Sequence, residues 1–129
     1  MNISVILQQA REPVAVMSIQ GDINASNFVQ VVDEAQEIYQ NPARNLVIDL
    51  SEVPSITNTG LAAIHRIALV YSGVPQEKLQ HPDLTHRSDA CKRVRLLNPQ
   101  PAVEQALETG GLKLFFKVFR DLESALNSF

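Results

Sequence analysis

The sequence contains few of the residues that stabilise secreted proteins, and it lacks the long apolar runs that span membranes. It has one cysteine, Cys91, and no tryptophan in 129 residues, so no intrachain disulfide can form. No window approaches the length of about 18 consecutive apolar residues that a membrane-spanning helix needs. The first residues also lack the charged segment and apolar run of a secretory signal. We therefore expect a soluble chain in a reducing cytoplasm, without direct insertion into a membrane.

Neither sign of charge dominates the chain. Eleven Lys and Arg against fourteen Asp and Glu give a formal net charge of −3, and the basic residues are spread out except for Lys92, Arg93 and Arg95. We interpret these three as a solvated strand edge with its approach; recognition of an acidic partner surface is the alternative. The concentrated positive surface of a nucleic-acid-binding protein is therefore missing, and we expect no nucleic acid partner. The composition, 45% hydrophobic and 19% charged, is that of an ordinary globular protein. The length predicts one compact domain over residues 1–129.

Motifs typical of enzymes are absent as well. The sequence has no Gly-x-Ser-x-Gly elbow, no His-Glu-x-x-His pair, no Gly-rich phosphate-binding loop and no cysteine with a plausible histidine partner. His81, His86 and Cys91 are evenly spaced, but the spacing matches no standard zinc pattern and no fourth ligand is evident. We therefore predict no catalytic residues, no metal site and no cofactor, and we interpret the chain as a binding module.

Short runs of β-branched and apolar residues predict about five strands. Residues 3–7 and 14–19 partly alternate and flank a turn, which indicates a hairpin. Residues 46–50 form the nearly continuous apolar run that is typical of a buried central strand. Residues 94–97 and 116–119 complete the set.

Apolar residues at helical spacing predict helices between the later strands. One apolar stripe covers residues 28–39 and follows Ser26, a candidate N-cap. A second stripe covers residues 61–71, where Asn58 or Thr59 is the natural N-cap because either side chain can accept a hydrogen bond from the first-turn amides. Each helix has one apolar stripe, which suits packing on one face of a sheet.

Two further helices and one insertion complete the predicted organisation. Residues 101–109 form a helix that ends at Gly110 and Gly111, and Asp121 caps a terminal helix. Residues 72–92 are polar, irregular and long for a loop inside a compact domain, so we interpret them as an exposed insertion. The order β-β-α-β-α-β-α-β-α predicts a single-domain α/β fold with a mixed, mostly parallel sheet of about five strands and four to five helices.

Three segments resemble the STAS domain family, the anti-sigma factor antagonists and their relatives. Residues 16–24, VMSIQGDIN, are similar to the family's strand leading into a Gly-hydrophobic-Asp type turn, and residues 45–51, NLVIDLS, are similar to its central strand. Residues 55–61, SITNTGL, occupy the place of the family signature, an Asp-Ser-Ser-Gly-Leu type turn that opens a helix. The resemblance extends over the rest of the chain apart from residues 72–92, and it implies a STAS-like fold.

The resemblance also implies a regulatory module that binds another protein. In bacteria the partner is usually an anti-sigma factor that is also a serine-protein kinase, with a histidine-kinase-like ATPase fold. In such systems the kinase phosphorylates the first serine of the signature turn, and the modified form releases the kinase. The resemblance therefore implies that docking of the module controls release of a transcription factor.

The signature of this chain departs from the family at the phosphoacceptor. Thr57 lies where the family usually has Asp, Asn58 where it has the phosphoacceptor serine, and Thr59 at the following hydroxyl, whereas Gly60 and Leu61 match. An amide cannot accept phosphate, so Thr57 and Thr59 are the phosphoacceptor candidates. The partner-binding residues that the resemblance implies are Asp22, Asn24, Thr57, Asn58, Thr59, Gly60 and Leu61.

The physics of a helix N-terminus explains why modification of this turn would matter. A hydroxyl there lies beside unpaired backbone amides and the positive end of the helix dipole. A phosphate would add a charge of about −1.5 to −2 to a surface that must contact another protein, and repulsion and desolvation can then release the partner. Our hypothesis is that Asn58 keeps the turn in an unmodified, binding-competent state, unless Thr57 or Thr59 is the acceptor.

Two alternatives stay open at this point. Thr57, Asn58 and Thr59 also suit a plain helix cap, and Asp22 and Asn24 also suit an ordinary turn between strand and helix. Within the same fold, the chain could instead be a non-phosphorylated structural STAS subunit of a larger signalling assembly or of a lipid transporter. The oligomeric state is open as well, and a homodimer is one option.

Overall fold

The computed structural model describes residues 2–9, 12–40, 45–71, 93–114 and 116–129. Its elements, in chain order, are β1 (Asn2–Gln9), β2 (Pro13–Gln20), α1 (Phe28–Gln40), β3 (Asn45–Glu52), α2 (Asn58–Tyr71), β4 (Val94–Leu97), α3 (Pro101–Thr109), a 3-10 helix (Leu112–Leu114), β5 (Lys117–Phe119) and α4 (Leu122–Leu126). The insertion predicted at residues 72–92, with the histidines and the cysteine considered for zinc, lies outside the described residues.

The five strands form one sheet in the order β1-β2-β3-β4-β5. β1 and β2 form an antiparallel hairpin whose register runs from Asn2 opposite Gln20 to Gln9 opposite Pro13, and the other neighbours pair in parallel. Each connection between parallel strands leads to the adjacent strand, always in the same direction across the sheet. Right-handed crossovers therefore place α1, α2 and α3 on one face. The predicted fold class, element order and strand number are confirmed.

Each face of the sheet carries its own apolar cluster. On the helix-covered face, Met17 and Ile19 of β2 pack in one cluster with α1, α2 and α3. On the opposite face, Val14 and Val16 pack with Ala125 of α4. Side chains alternate between the faces along each strand, so the central strand β3, with apolar side chains on both faces, has the nearly continuous apolar sequence that predicted a buried strand.

Arg95 differs from the solvated strand edge that the sequence suggested. β4 lies between β3 and β5, and only 4% of the Arg95 surface is exposed. Its Nε donates to the hydroxyl of Ser128 at 2.9 Å, and its guanidinium carbon lies 4.6 Å from the centroid of the Phe129 ring, within cation–π range. Arg95 thus fastens the segment that follows α4 to the sheet.

The start of α1 also differs from the prediction. The helix begins at Phe28, and the carbonyl of Asn27 accepts from the N–H of Val31 at 3.0 Å, so Asn27 rather than Ser26 occupies the N-cap position. Both the N–H and the hydroxyl of Ser26 instead donate to the side chain of Asn24. The polar residues before α1 therefore organise a turn of their own ahead of the helix.

The later helices begin and end where the sequence predicted. α3 spans Pro101–Thr109 and is followed by Gly110. The Asp121 carboxylate accepts from the N–H of Ser124 at 2.9 Å and caps α4. His65 of α2 is half-buried, and burial lowers its pKa below the ordinary value.

Candidate partner-binding surface

The candidate site lies where the segments that follow β2 and β3 meet. Gly21 turns the chain out of β2 with a φ of +118°, a conformation that favours glycine, and its N–H donates to the carbonyl of Glu52 at 3.1 Å. Ile23 then forms a parallel bridge with Ile56. Both segments leave the carboxyl ends of neighbouring parallel strands, where binding sites of such sheets commonly form. The topology thereby brings the Asp22 region and the signature turn together.

Three hydrogen bonds join the two segments. The N–H of Ile23 donates to the Ser55 carbonyl at 3.1 Å, and the N–H of Thr57 donates to the Ile23 carbonyl at 3.0 Å. The Ser55 hydroxyl donates to Oδ1 of Asp22 at 2.9 Å. Asp22, which is exposed, is therefore held directly beside the turn.

The described hydrogen bonds of Asn24 lie within its own loop. Its Oδ1 accepts from the N–H of Ser26 at 2.9 Å, and its N–H donates to Oδ1 of Asn27 at 2.9 Å. Asn27 in turn donates from Nδ2 to the carbonyl of Asp22 at 2.7 Å. Asn24 thus supports the loop that positions Asp22, and its half-buried side chain is less available to a partner.

Thr57 caps α2, which corrects the expectation that Asn58 or Thr59 does so. The helix begins at Asn58, so the N-cap position falls on the preceding residue. The Thr57 hydroxyl oxygen accepts from the N–H of Gly60 at 3.2 Å, and its carbonyl accepts from the N–H of Leu61 at 2.9 Å. Asn58 and Thr59 are left as the exposed residues of the first turn, beside the positive end of the helix dipole.

Gly60 lets the first turn of α2 approach the other segment. A Cβ at this buried position would lie 2.4 Å from the carbonyl oxygen of Ile23 and 2.6 Å from Cγ1 of Ile56. Both distances are far below van der Waals contact, and one involves backbone that cannot rotate away. Glycine in the signature thus has a packing role. It allows the first turn of α2, with Asn58 and Thr59, to lie close to the edge of the sheet.

A shallow pocket of about 390 Å³ lies between the start of α2 and one side of α3. Asn58 and Leu61 form the α2 wall. Leu61 packs closely on Gly110, since a Cβ added to Gly110 would lie 3.0 Å from Leu61 Cδ1. The residues that α3 and its C-terminus contribute are Ala102, Gln105, Ala106, Thr109 and Gly110. This α3 side was missed by sequence reasoning, because no motif marks it and its neighbour α2 is distant along the chain.

The surface around the turn is polar and nearly uncharged. Asp22 is the one charged residue in residues 21–27 and 55–61. On α3, the carboxylate of Glu104 is engaged by Arg120 and Lys113, and those hydrogen bonds lower its pKa to about 2. Amide and hydroxyl groups around a small apolar floor suit contact with another protein, since protein interfaces combine an apolar core with a polar rim.

The described residues contain no group of three or more His, Cys, Asp or Glu side chains arranged to hold a metal ion. Within the same part of the chain, none of the helices is both long enough and apolar enough to cross a membrane.

A family model for the STAS domain matches residues 6–71, just over half of the chain. The match runs from β1 through α2 and includes both the Asp22 loop and the signature turn. The chain therefore belongs to the STAS domain family, and this membership supports a regulatory, protein-binding role. No curated protein sequence matches the chain.

Solved structures with the same fold include anti-sigma factor antagonists. One, from Mycobacterium paratuberculosis, shares 20% identity at a TM-score of 0.69, with 98% of this chain and 93% of that chain covered. The anti-sigma factor antagonist SpoIIAA in its unphosphorylated form shares 17% identity at a TM-score of 0.61, with 96% and 94% covered. The Bacillus SpoIIAA in its phosphorylated form shares 16% identity at a TM-score of 0.56, with 96% and 97% covered. At these identities the similarity shows a shared SpoIIAA-like fold.

Proposed function

We propose that this protein is a non-enzymatic regulator of the anti-sigma factor antagonist type that acts in the cytoplasm. Its turn at residues 57–61, with Asp22 beside it, docks onto an anti-sigma factor of the serine-protein kinase class and thereby controls release of a transcription factor. The family membership and the SpoIIAA-like fold support this proposal.

One observation carries the proposal: exposed Asn58 and Thr59 stand on a rigid support beside an open pocket. The Thr57 cap, the close approach at Gly60 and the Ser55–Asp22 hydrogen bond fix the turn from three sides. A preorganised polar turn loses little conformational entropy on binding, so its contacts contribute more fully to affinity. The pocket floor offers apolar contact for a partner side chain.

The same turn suggests how modification would act in this chain. Asn58 occupies the acceptor position and cannot be phosphorylated, while the Thr57 hydroxyl already serves as the N-cap acceptor and Thr59 is exposed without that capping bond. Phosphate on either threonine would place negative charge on the docking surface. Mass spectrometry after incubation with the kinase and ATP, on the chain and on Thr57→Val and Thr59→Val variants, assigns the acceptor or shows that the turn remains unmodified.

The docking surface is tested by a charge placed on it. Asn58→Asp should weaken binding to the purified anti-sigma factor of the same organism by about tenfold or more, because it mimics part of the charge of a phosphate at the interface. Asn127→Asp, the same substitution at an exposed residue after α4, is the matched control and should leave affinity unchanged. Isothermal titration calorimetry measures both, and unchanged affinity of Asn58→Asp would refute the site.

Asn58 also favours a second candidate, a structural STAS subunit that is never phosphorylated. In that case the turn would be a permanent contact within a signalling scaffold or a lipid transporter. The partner that binds the purified chain distinguishes the two: an ATP-binding kinase for the regulator, or a scaffold protein or membrane-transport ATPase for the structural subunit.

A further inference from the structure

β1 forms one lateral edge of the described sheet. Among the described strands, β1 is the first in the sheet order and pairs with β2 on one side only. None of its eight side chains is buried. On the outer side, the backbone N–H and C=O groups of alternate residues can pair with another strand.

The sequence and register of β1 lack the features that usually protect an edge strand. Its sequence, NISVILQQ, contains no charged residue, no proline and no glycine, whereas natural edge strands commonly use charge, proline or a bulge to prevent pairing. Its register with β2 is continuous over all eight residues, so no bulge interrupts the edge. A straight, uncharged edge of this length is a template for an added strand.

Exposed apolar side chains concentrate on this strand. Among the described residues, the exposed large hydrophobic side chains are Val5 at 40%, Ile6 at 55%, Leu7 at 61% and Val29 at 65%. Three of these four are consecutive in β1, on both faces of the sheet. Val5 and Leu7 lie opposite Met17 and Ala15, on the helix-covered face, and Ile6 lies opposite Val16, on the other face.

The exposed apolar residues of β1 can pair with the same residues of a second copy. A two-fold axis normal to the sheet relates the two copies so that the same face of each copy lies on the same side of the joint sheet. When this axis passes beside Ile6, the two β1 strands pair antiparallel and Ile6 lies opposite the partner's Ile6. Val5 then lies opposite the partner's Leu7, and Leu7 opposite the partner's Val5. Pairing about Val5 instead would place Ile6 opposite the partner's Ser4. The register about Ile6 matches all three exposed apolar residues with one another, and no like charges oppose each other.

We propose that a second copy of this chain docks on β1, antiparallel and centred on Ile6, to form a symmetric dimer with one continuous ten-stranded sheet. The interface is isologous, since the same strand contributes from both copies, and it satisfies the free edge while covering the apolar residues. The strands of the two copies run in opposite directions, so the two signature turns lie at opposite ends of the joint sheet and stay clear of the interface.

The mass of the full chain in solution tests the proposal. Analytical ultracentrifugation between about 1 and about 100 µM, a range that covers ordinary micromolar dimers, should show a species of twice the 14.3 kDa of one chain. Ile6→Lys and Ile6→Glu should each be monomeric, because like charges would face each other at the axis. An equimolar mixture of the two variants should regain the dimer, because opposite charges then meet.

Val29→Lys is the control, since it places the same charge on an exposed apolar residue of α1 and should leave the dimer intact. Thermal melting followed by circular dichroism verifies that each variant is folded, and recovery in the mixture excludes misfolding as the cause of dissociation. A monomeric wild type over the whole range, a dimeric Ile6→Lys variant, or no recovery in the mixture would overturn the proposal. Titration of Ile6→Lys with the anti-sigma factor should give the wild-type affinity per chain, which separates this interface from the proposed function.

Discussion

Gly60 and Thr57 determine the geometry of the turn through different atoms. The Thr57 hydroxyl oxygen accepts from one first-turn amide of α2, the N–H of Gly60. Gly60 itself contributes the absence of a side chain where the helix meets the Ile23 carbonyl. The signature glycine is therefore explained by packing within this chain. Asn58 and Thr59, which have no such constraint in the described structure, are the residues free to determine what binds.

Replacing Gly60 by Ala should lower the free energy of unfolding by about 1–3 kcal/mol, the usual cost of overpacking. The expected sign is informative because Ala is the better helix former by about 1 kcal/mol, so only the steric contact can produce a loss. Urea denaturation measures the change. Thr59→Ala, at the exposed neighbouring position, should stay within about 0.5 kcal/mol of the wild type; a stabilised Gly60→Ala variant would contradict the described approach.

At the scale of elements, an ion-pair network holds the helix that forms the far wall of the pocket. Glu104 of α3 accepts from Lys113 at 2.8 Å and from Arg120 at 2.6 Å, which ties α3 to the 3-10 helix and to the residue after β5. Lys113 also pairs with Glu108 at 2.8 Å. The network therefore secures the position of α3 relative to the sheet edge, and with it the width of the pocket.

This network predicts how stability depends on pH. Hydrogen bonds from Arg120 and then Lys113 lower the pKa of Glu104 from 4.5 to about 2. The folded pKa lies below the unfolded one, so the contribution is present above about pH 4.5 and is lost as the pH falls to about 2. In urea melts over this range, Glu104→Gln should lose less stability on acidification than the wild type does, while Glu123→Gln on α4 should follow the wild type. Equal slopes for Glu104→Gln and the wild type would contradict the network.

The elements could be predicted from sequence where local chemistry determines them. The bounds of α3 follow from Pro101 and Gly110, and the N-cap of α4 follows from Asp121, because each signal lies within one turn of the helix end. Arg95 was misjudged because the groups that receive it, Ser128 and Phe129, are distant in sequence and meet it only after folding.

The candidate site was predicted only in part, because some of its contacts form between residues that are distant in sequence. The meeting of the Asp22 loop with the signature turn follows from parallel topology, and the resemblance supplied the positions. The cap at Thr57 was missed because helix starts shift by a single residue with little change in pattern. The α3 wall of the pocket could not be predicted, since its side chains become a surface only when α3 packs beside α2.

At the scale of the whole molecule, the two proposed surfaces have separate tasks. The turn beside Asp22 lies at the carboxyl ends of the parallel strands, where we propose that a regulatory partner binds. β1 lies at the lateral edge of the sheet, where we propose that a second copy binds. A dimer built on β1 would present two turns at opposite ends, and each would bind its partner independently. We therefore expect a binding stoichiometry of one partner per chain, whether or not the chains are paired.

The central claim is that the partner binds at the turn and the adjoining pocket, and NMR chemical-shift mapping tests it most directly. Titration of the ¹⁵N-labelled chain with the purified anti-sigma factor should perturb the amide signals of residues 22–24, 57–61 and 102–110 first and most strongly. The amide signals of α4, on the opposite face, should move little. Perturbations concentrated on α4 or on β1, with the signals of Asn58 and Thr59 unchanged, would contradict the account.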